Sequence, residues 1–201
     1  MSNRYAQCDI LVGVNGTGKT TLLKDILRKV LEKGDRALVV TPDPIEWNNI
    51  PEINYRLRHH IKNYTGIRKI VYYSGCMDDI QQYYANGVLV FDDARVYINA
   101  QTNSFMEWLQ IRRRQAGIDL LCVFHGLTQV PPVFFTFTSN LFLFHTLDNI
   151  KRRSVYIDDL IFEEIQDAKK EIQSEVSNGD IYYYKRVIFD KRFKFLNNGK
   201  N

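Results

Sequence analysis

Ile10-Leu11-Val12-Gly13-Val14-Asn15-Gly16-Thr17-Gly18-Lys19-Thr20-Thr21 is the stretch that decides the fold. An apolar run enters a glycine-rich turn, and Leu22, Leu23, Ile26, Leu27, Val30 and Leu31 then recur at helical spacing. Residues 13–20 thus fit G-x-x-x-x-G-K-[ST] in the strand-then-helix setting that a phosphate-binding loop requires. Glycines let such a loop wrap so that successive backbone N–H groups face phosphate oxygens, and the helix adds its positive end to the same anion. Lys19 is expected to neutralise the β- and γ-phosphates, and the Thr20 hydroxyl to ligate Mg²⁺. Gly13, Asn15, Gly16, Thr17, Gly18, Lys19, Thr20 and Thr21 are the candidate cofactor contacts, with ATP and Mg²⁺ as the ligands.

The rest of the composition bounds what such a loop can serve. A chain of 201 residues suits one domain, 1–201, with a core over about 7–147 and a C-terminal helix and hairpin over about 154–196. Net charge is +4, too small to argue for nucleic acid by itself, so any such contact must come from local patches or several subunits. Cys8, Cys76 and Cys122 are far apart without metal spacing, and Cys8 and Cys122 sit in apolar runs, as reduced core cysteines do. No run reaches the length of a membrane span, and the start lacks a leader's apolar region; a soluble cytoplasmic chain is expected.

In chain order the pattern predicts a strand at 7–12, a helix at 19–33 stopped by Gly34, and a strand at 36–41. Residues 45–67 are polar and irregular; His59 and His60 are neighbours with no further ligand close by, which suits a solvated loop or short helix better than a metal site. Strands follow at 67–73, 87–93, 118–125 and 141–145, with helices at 77–85, 104–115 and, short and Pro-initiated, within 131–140. The 104–115 helix carries its periodicity through Phe105, Trp108, Leu109 and Ile111. An amphipathic helix starts at Ser154 or Asp158 and runs to Val176; residues 181–195 read as a hairpin or pair of strands. Several strands are continuously apolar, so the sheet is mostly parallel and covered on both faces. The expected class is α/β: a P-loop NTPase of RecA-like three-layer α/β/α form with a C-terminal β-hairpin.

Phosphoryl transfer also needs a metal ligand and a group that positions water. Val88-Leu89-Val90-Phe91-Asp92-Asp93 ends an apolar strand in two acids, at the strand edge where α/β proteins bind ligands. Asp92 is assigned to the Mg²⁺ shell. Asp93 stands where additional-strand ATPases place a water-polarising glutamate, and is one methylene shorter. A second and a third strand separate the loop from these acids in sequence, which suits an architecture with a further strand between the loop strand and the acid strand.

Four segments together, GVNGTGKT (13–20), VLVFDDA (88–94), RRRQAGID (112–119) and LCVFHGLTQVPP (121–132), resemble the FtsK–HerA superfamily of DNA-pumping motors. The resemblance is to its small members, the genome-packaging ATPases of double-stranded DNA viruses and phages, and covers roughly 7–147. Thr41-Pro42-Asp43-Pro44-Ile45-Glu46-Trp47 loosely resembles the family's D-P-x-x-E-[YF] stretch.

The resemblance implies an arginine acting in trans from the R-x-x-G register of Arg114 to Gly117, with Arg112 and Arg113 as alternatives. It places His125 where the family has a polar γ-phosphate sensor, usually Gln; histidine keeps a donor and adds pH sensitivity. It implies a hexameric or pentameric homo-oligomeric ring that moves double-stranded DNA, without a membrane, in the host cytoplasm or with the virion, and a capsid or portal protein as a further partner. Lys62, Arg68, Lys69, Lys151, Arg152 and Arg153 are the basic groups from which DNA contacts could be drawn. Three alternatives share parts of the pattern: a zonular-occludens-toxin-like phage assembly ATPase, a small P-loop nucleotide kinase, and a non-hydrolysing nucleotide-dependent assembly factor.

Overall fold

Strands and helices alternate as the apolar periodicity requires. A computed structural model describes residues 6–97, 103–150 and 155–190. In order these hold β1 (Cys8–Val12), α1 (Lys19–Glu32), β2 (Ala37–Thr41), β3 (Ile67–Val71), α2 (Cys76–Tyr83), β4 (Gly87–Phe91), α3 (Asn103–Ala116), β5 (Ile118–Phe124), α4 (Pro132–Phe137), β6 (Asn140–Leu143), α5 (Asp159–Ser177) and β7 (Lys185–Ile188). The seven strands form one sheet in the order β3-β2-β4-β5-β1-β6-β7, parallel in every resolved pairing except β6 with β7. The chain divides into two compact units, Met1–Ala6 with Thr20–Val123, and Gln7–Lys19 with Phe124–Asn201.

In the first unit, β2 pairs β3 from Ala37↔Ile67 and β4 from Ala37↔Val88, and β4 pairs β5 from Gly87↔Ile118. Every residue of β2 and β4 is buried, as expected of strands covered on both faces. Leu23, Leu27 and Val30 form the buried stripe of α1. Phe105, Met106 and Leu109 do so for α3, whereas Ile111 is exposed: its position on the helix turns it away from that stripe, contrary to the periodicity read from sequence. The Arg36 guanidinium gathers the chain around it, donating to the carbonyls of Asn86, Ile61, Lys62 and Ala85 and lying over the rings of Tyr64 and Tyr84. Residues 55–61 form a 3₁₀ helix in which His59 and His60 are exposed, in keeping with a solvated segment.

The second unit joins β1 to β6 from Asp9↔Asn140 and β6 to β7 from Asn140↔Ile188. Asn140 ties the three strands together: its amide donates to Asp9 Oδ1 at 2.6 Å, and its Oδ1 accepts from Arg186 Nε at 3.0 Å. Of the two starts open to α5, the cap decides. Asp158 Oδ1 accepts from Leu160 N at 3.1 Å, satisfying one orphan amide of the first turn. Ile161, Ile165, Ala168 and Ile172 are the helix's buried face. Of the expected C-terminal hairpin, the described part is β7, antiparallel to β6; residues 191–201 lie outside the described residues.

Candidate nucleotide-binding site

The loop after β1 is fastened at its root. Gly13 N donates to Phe124 O at 3.2 Å and Val14 N to His145 O at 2.9 Å. A Cβ on Gly13 would come within 2.6 Å of Phe144 Cβ and 2.9 Å of Thr17 Oγ1, so only glycine fits that close approach. Gly16 and Gly18 have φ of +79° and +91°, the left-handed turns that aim neighbouring amides into one concavity. Inside it Lys19 is only 6% exposed, its Nζ donating to Val14 O at 2.8 Å, and Thr17 Oγ1 donates to the same carbonyl at 2.9 Å. A buried ammonium beside a glycine turn of this kind fits a polyphosphate chain. Asn15, Gly16 and Thr21 are exposed, while Val14, Gly18 and Thr20 are half-buried.

His125 follows the residue whose carbonyl accepts from Gly13, so the structure brings the expected sensor to the root of the loop. The turn that carries it is held by Asp148. Its Oδ2 accepts from Thr128 N at 2.6 Å and Thr128 Oγ1 at 2.9 Å, Thr146 donates to its other oxygen, and Lys169 donates to its carbonyl. A Cβ on Gly126 would stand 2.7 Å from Asp148 Oδ2, so a side chain there would have to displace this carboxylate. Nothing in the sequence pattern singles out Asp148.

The acids lie just past β4 in the other unit, which also contains Thr20, the second residue assigned to the metal. Asp92 Oδ2 accepts from the indole Nε1 of Trp47 at 2.7 Å. Burial pushes the Asp92 carboxyl above its ordinary value, the Trp47 bond pulls it down, and the negative charges of Glu46 and Asp93 push it up again. The Asp92 carboxylate and the Thr20 hydroxyl are hard oxygen donors of the kind Mg²⁺ takes, and among the described residues no group of three or more His, Cys, Asp or Glu is gathered to hold a metal by protein ligands alone. Lys24 reaches Glu46 at 3.6 Å and lies 5.3 Å from the centre of the Trp47 ring, in an exposed setting that screens the pair. Asp93 has φ +51° and ψ +57°, a left-handed conformation that short Asp tolerates better than Glu. That backbone is a physical reason for the shorter acid at this place. Behind the acids, Tyr97 is fully buried against Tyr72 and Phe91, its phenol pushed up by burial first and by Asp92 and Asp93 second.

The three arginines of α3 separate cleanly. Arg113 is 3% exposed and donates to Ala6 O, so it is a tether of the N-terminal segment and is removed as a finger candidate. Arg112 is exposed and bonded to Gln115 Oε1 at 2.8 Å; Arg114 is exposed. Among the basic groups, Lys69 is also removed, being 6% exposed with its Nζ on Pro44 O at 2.8 Å. Arg68 is half-buried and bonded to its neighbour's carbonyl, Lys62 is exposed, and 151–153 lie outside the described residues.

A family model described as the type IV secretion-system coupling protein DNA-binding domain matches residues 2–43, the segment holding the loop. The genome packaging NTPase B204 of Sulfolobus turreted icosahedral virus 2, solved with AMPPCP, superposes with a TM-score of 0.69 at 13% identity, over 92% of this chain and 93% of that one. The chain shares the fold of that packaging NTPase. The same NTPase with ATP-gammaS gives 0.69 at 14% identity over 94% of each chain. The pCW3 conjugation coupling protein TcpA, with ATPgS, gives 0.50 at 13% identity over 76% of this chain and 52% of that one. No curated protein matches by sequence. Among the described residues no helix is long and apolar enough to cross a membrane.

Proposed function

We propose that this chain is an ATP-driven translocase of double-stranded DNA, a genome-packaging motor ATPase working as a homo-oligomeric ring. The observation that carries the reading is the buried Lys19 within its clamped glycine loop, in a fold shared over nearly the whole chain with a packaging NTPase. The coupling-protein domain matched at 2–43 belongs to another DNA-handling machine, which agrees with a DNA substrate.

In this reading the loop amides and Lys19 hold the β- and γ-phosphates, and Thr20 and Asp92 supply oxygens to Mg²⁺. When bound, that ion neutralises charge on the phosphates and polarises them toward attack. Asp93 accepts a proton from the attacking water and His125 reports on the γ-phosphate. Arg114, exposed at the end of α3, enters a neighbouring subunit's site, where its planar fork stabilises the charge spreading over the transferred phosphoryl. Ring assembly would sum the modest charge of each subunit into a field that DNA can follow.

ATP turnover measured with and without double-stranded DNA, alongside mass in solution, tests the proposal. DNA-stimulated turnover in an oligomer is expected. DNA-independent turnover by a strict monomer would sink it, and transfer of phosphate to a nucleotide would favour the kinase alternative.

A further inference from the structure

The segment after α5 places an uncovered aromatic ring against the phosphate loop. Gly179, at φ +104°, lets the chain turn back, with Asp180 N donating to Glu175 O at 3.0 Å. Asp180 Oδ1 then accepts from Tyr182 N at 3.1 Å. Tyr183 donates to Glu171 on α5, and Lys185 Nζ reaches the same oxygen at 3.0 Å. With Tyr183 turned onto α5, its two neighbours are placed elsewhere. The Tyr184 ring lies 4.9 Å from that of Phe144 and 6.2 Å from that of Phe142. Tyr182 Cδ1 comes within 3.3 Å of the Cβ position of Gly18, and the Phe144 ring approaches the same position at 3.8 Å.

Tyr182 is nevertheless 63% exposed. Its backbone is fixed by the Asp180 turn, and its ring rests on the loop without being enclosed. A fixed, solvent-facing aromatic beside a phosphate cradle offers a flat apolar face to whatever the phosphates carry. From this we infer that Tyr182 is the stacking platform for the nucleobase, with Tyr184 and Phe144 supporting the loop side beneath it. The inference rests on the nucleotide reading of the loop and adds the base subsite to it. Every base presents a π-face, so a platform of this kind binds purine nucleoside triphosphates with weak discrimination between adenine and guanine.

Calorimetric titration of the full chain with Mg²⁺-ATP and, separately, with inorganic tripolyphosphate separates the base from the phosphates. Tyr182→Ala should weaken ATP binding by roughly 5- to 100-fold, the usual range for one lost base–aromatic stack. It should leave tripolyphosphate affinity unchanged, and Tyr182→Phe should retain ATP affinity. Equal loss of both ligands in Tyr182→Ala would make the ring a support of the loop and overturn the inference, as would no loss of either. Wild-type protein that binds tripolyphosphate but shows no gain for ATP would overturn the inference and leave the loop reading standing. Wild-type protein that binds neither would overturn the nucleotide reading and this inference with it.

Discussion

The indole N–H of Trp47 donates to Asp92 Oδ2 across 2.7 Å, joining the segment after β2 to the acid after β4. The bond holds a carboxylate that burial and two neighbouring acids would otherwise leave poorly stabilised. Trp47→Phe keeps an aromatic ring and removes the donor. A hydrogen bond to a charged group contributes about 1.5–3 kcal/mol, so the variant should be less stable by that order, with weaker Mg²⁺ dependence of nucleotide binding. Denaturant titration and Mg²⁺ titration of ATP binding check the two effects separately.

Asp92 itself should show a conflict between stability and activity. Its folded pKa is raised above its unfolded value, so the folded state holds the proton more tightly. The ionised carboxylate therefore opposes folding at neutral pH, and that penalty is relieved as pH falls through the raised folded value toward the unfolded one. Asp92→Asn, which still accepts from Trp47, should melt higher than wild type at pH 7 in EDTA and hydrolyse no ATP. A lower melting temperature would show that the charge is already compensated within the chain.

Arg113 and Arg114 are adjacent in sequence and should behave oppositely. Arg113→Ala removes the buried tether to Ala6 and should cost about 2–3 kcal/mol of stability. Arg114→Ala should fold and bind ATP normally, and should poison turnover when mixed with wild-type subunits. Poor ATP binding by Arg114→Ala would place the residue in its own subunit's site.

The three cysteines are buried, and burial pushes the Cys76 thiol up to about 12. Burial thus keeps the Cys76 thiol protonated at pH 8, and the thiolate is the reactive form. Native protein should therefore leave all three cysteines unmodified by iodoacetamide, with full labelling only in denaturant, as read by mass spectrometry.

The loop was legible in the sequence because its chemistry is local: glycines, Lys19 and Thr20 occupy fixed spacings between a strand and a helix. The parallel sheet was legible for a similar reason, since stretches such as 37–40 and 87–91 are apolar at every position. What the sequence hid is set by long-range packing. Arg112, Arg113 and Arg114 look alike as letters, and only α3's orientation buries one of them. Ile111 looked like core on the same helix and is exposed. Asp148 holds the His125 turn from twenty residues away, and Trp47 finds Asp92 across 45 residues. The left-handed backbone of Asp93, which suits a short acid, is likewise set by the folded chain.

Movement along DNA is the central claim, and displacement of a third strand from a triplex-bearing duplex measures it directly. With ATP and Mg²⁺ the wild-type protein should release the third strand, while Lys19→Ala should bind the duplex and release nothing. ATP hydrolysis stimulated by the duplex, with the third strand left in place, would contradict the claim that hydrolysis drives translocation.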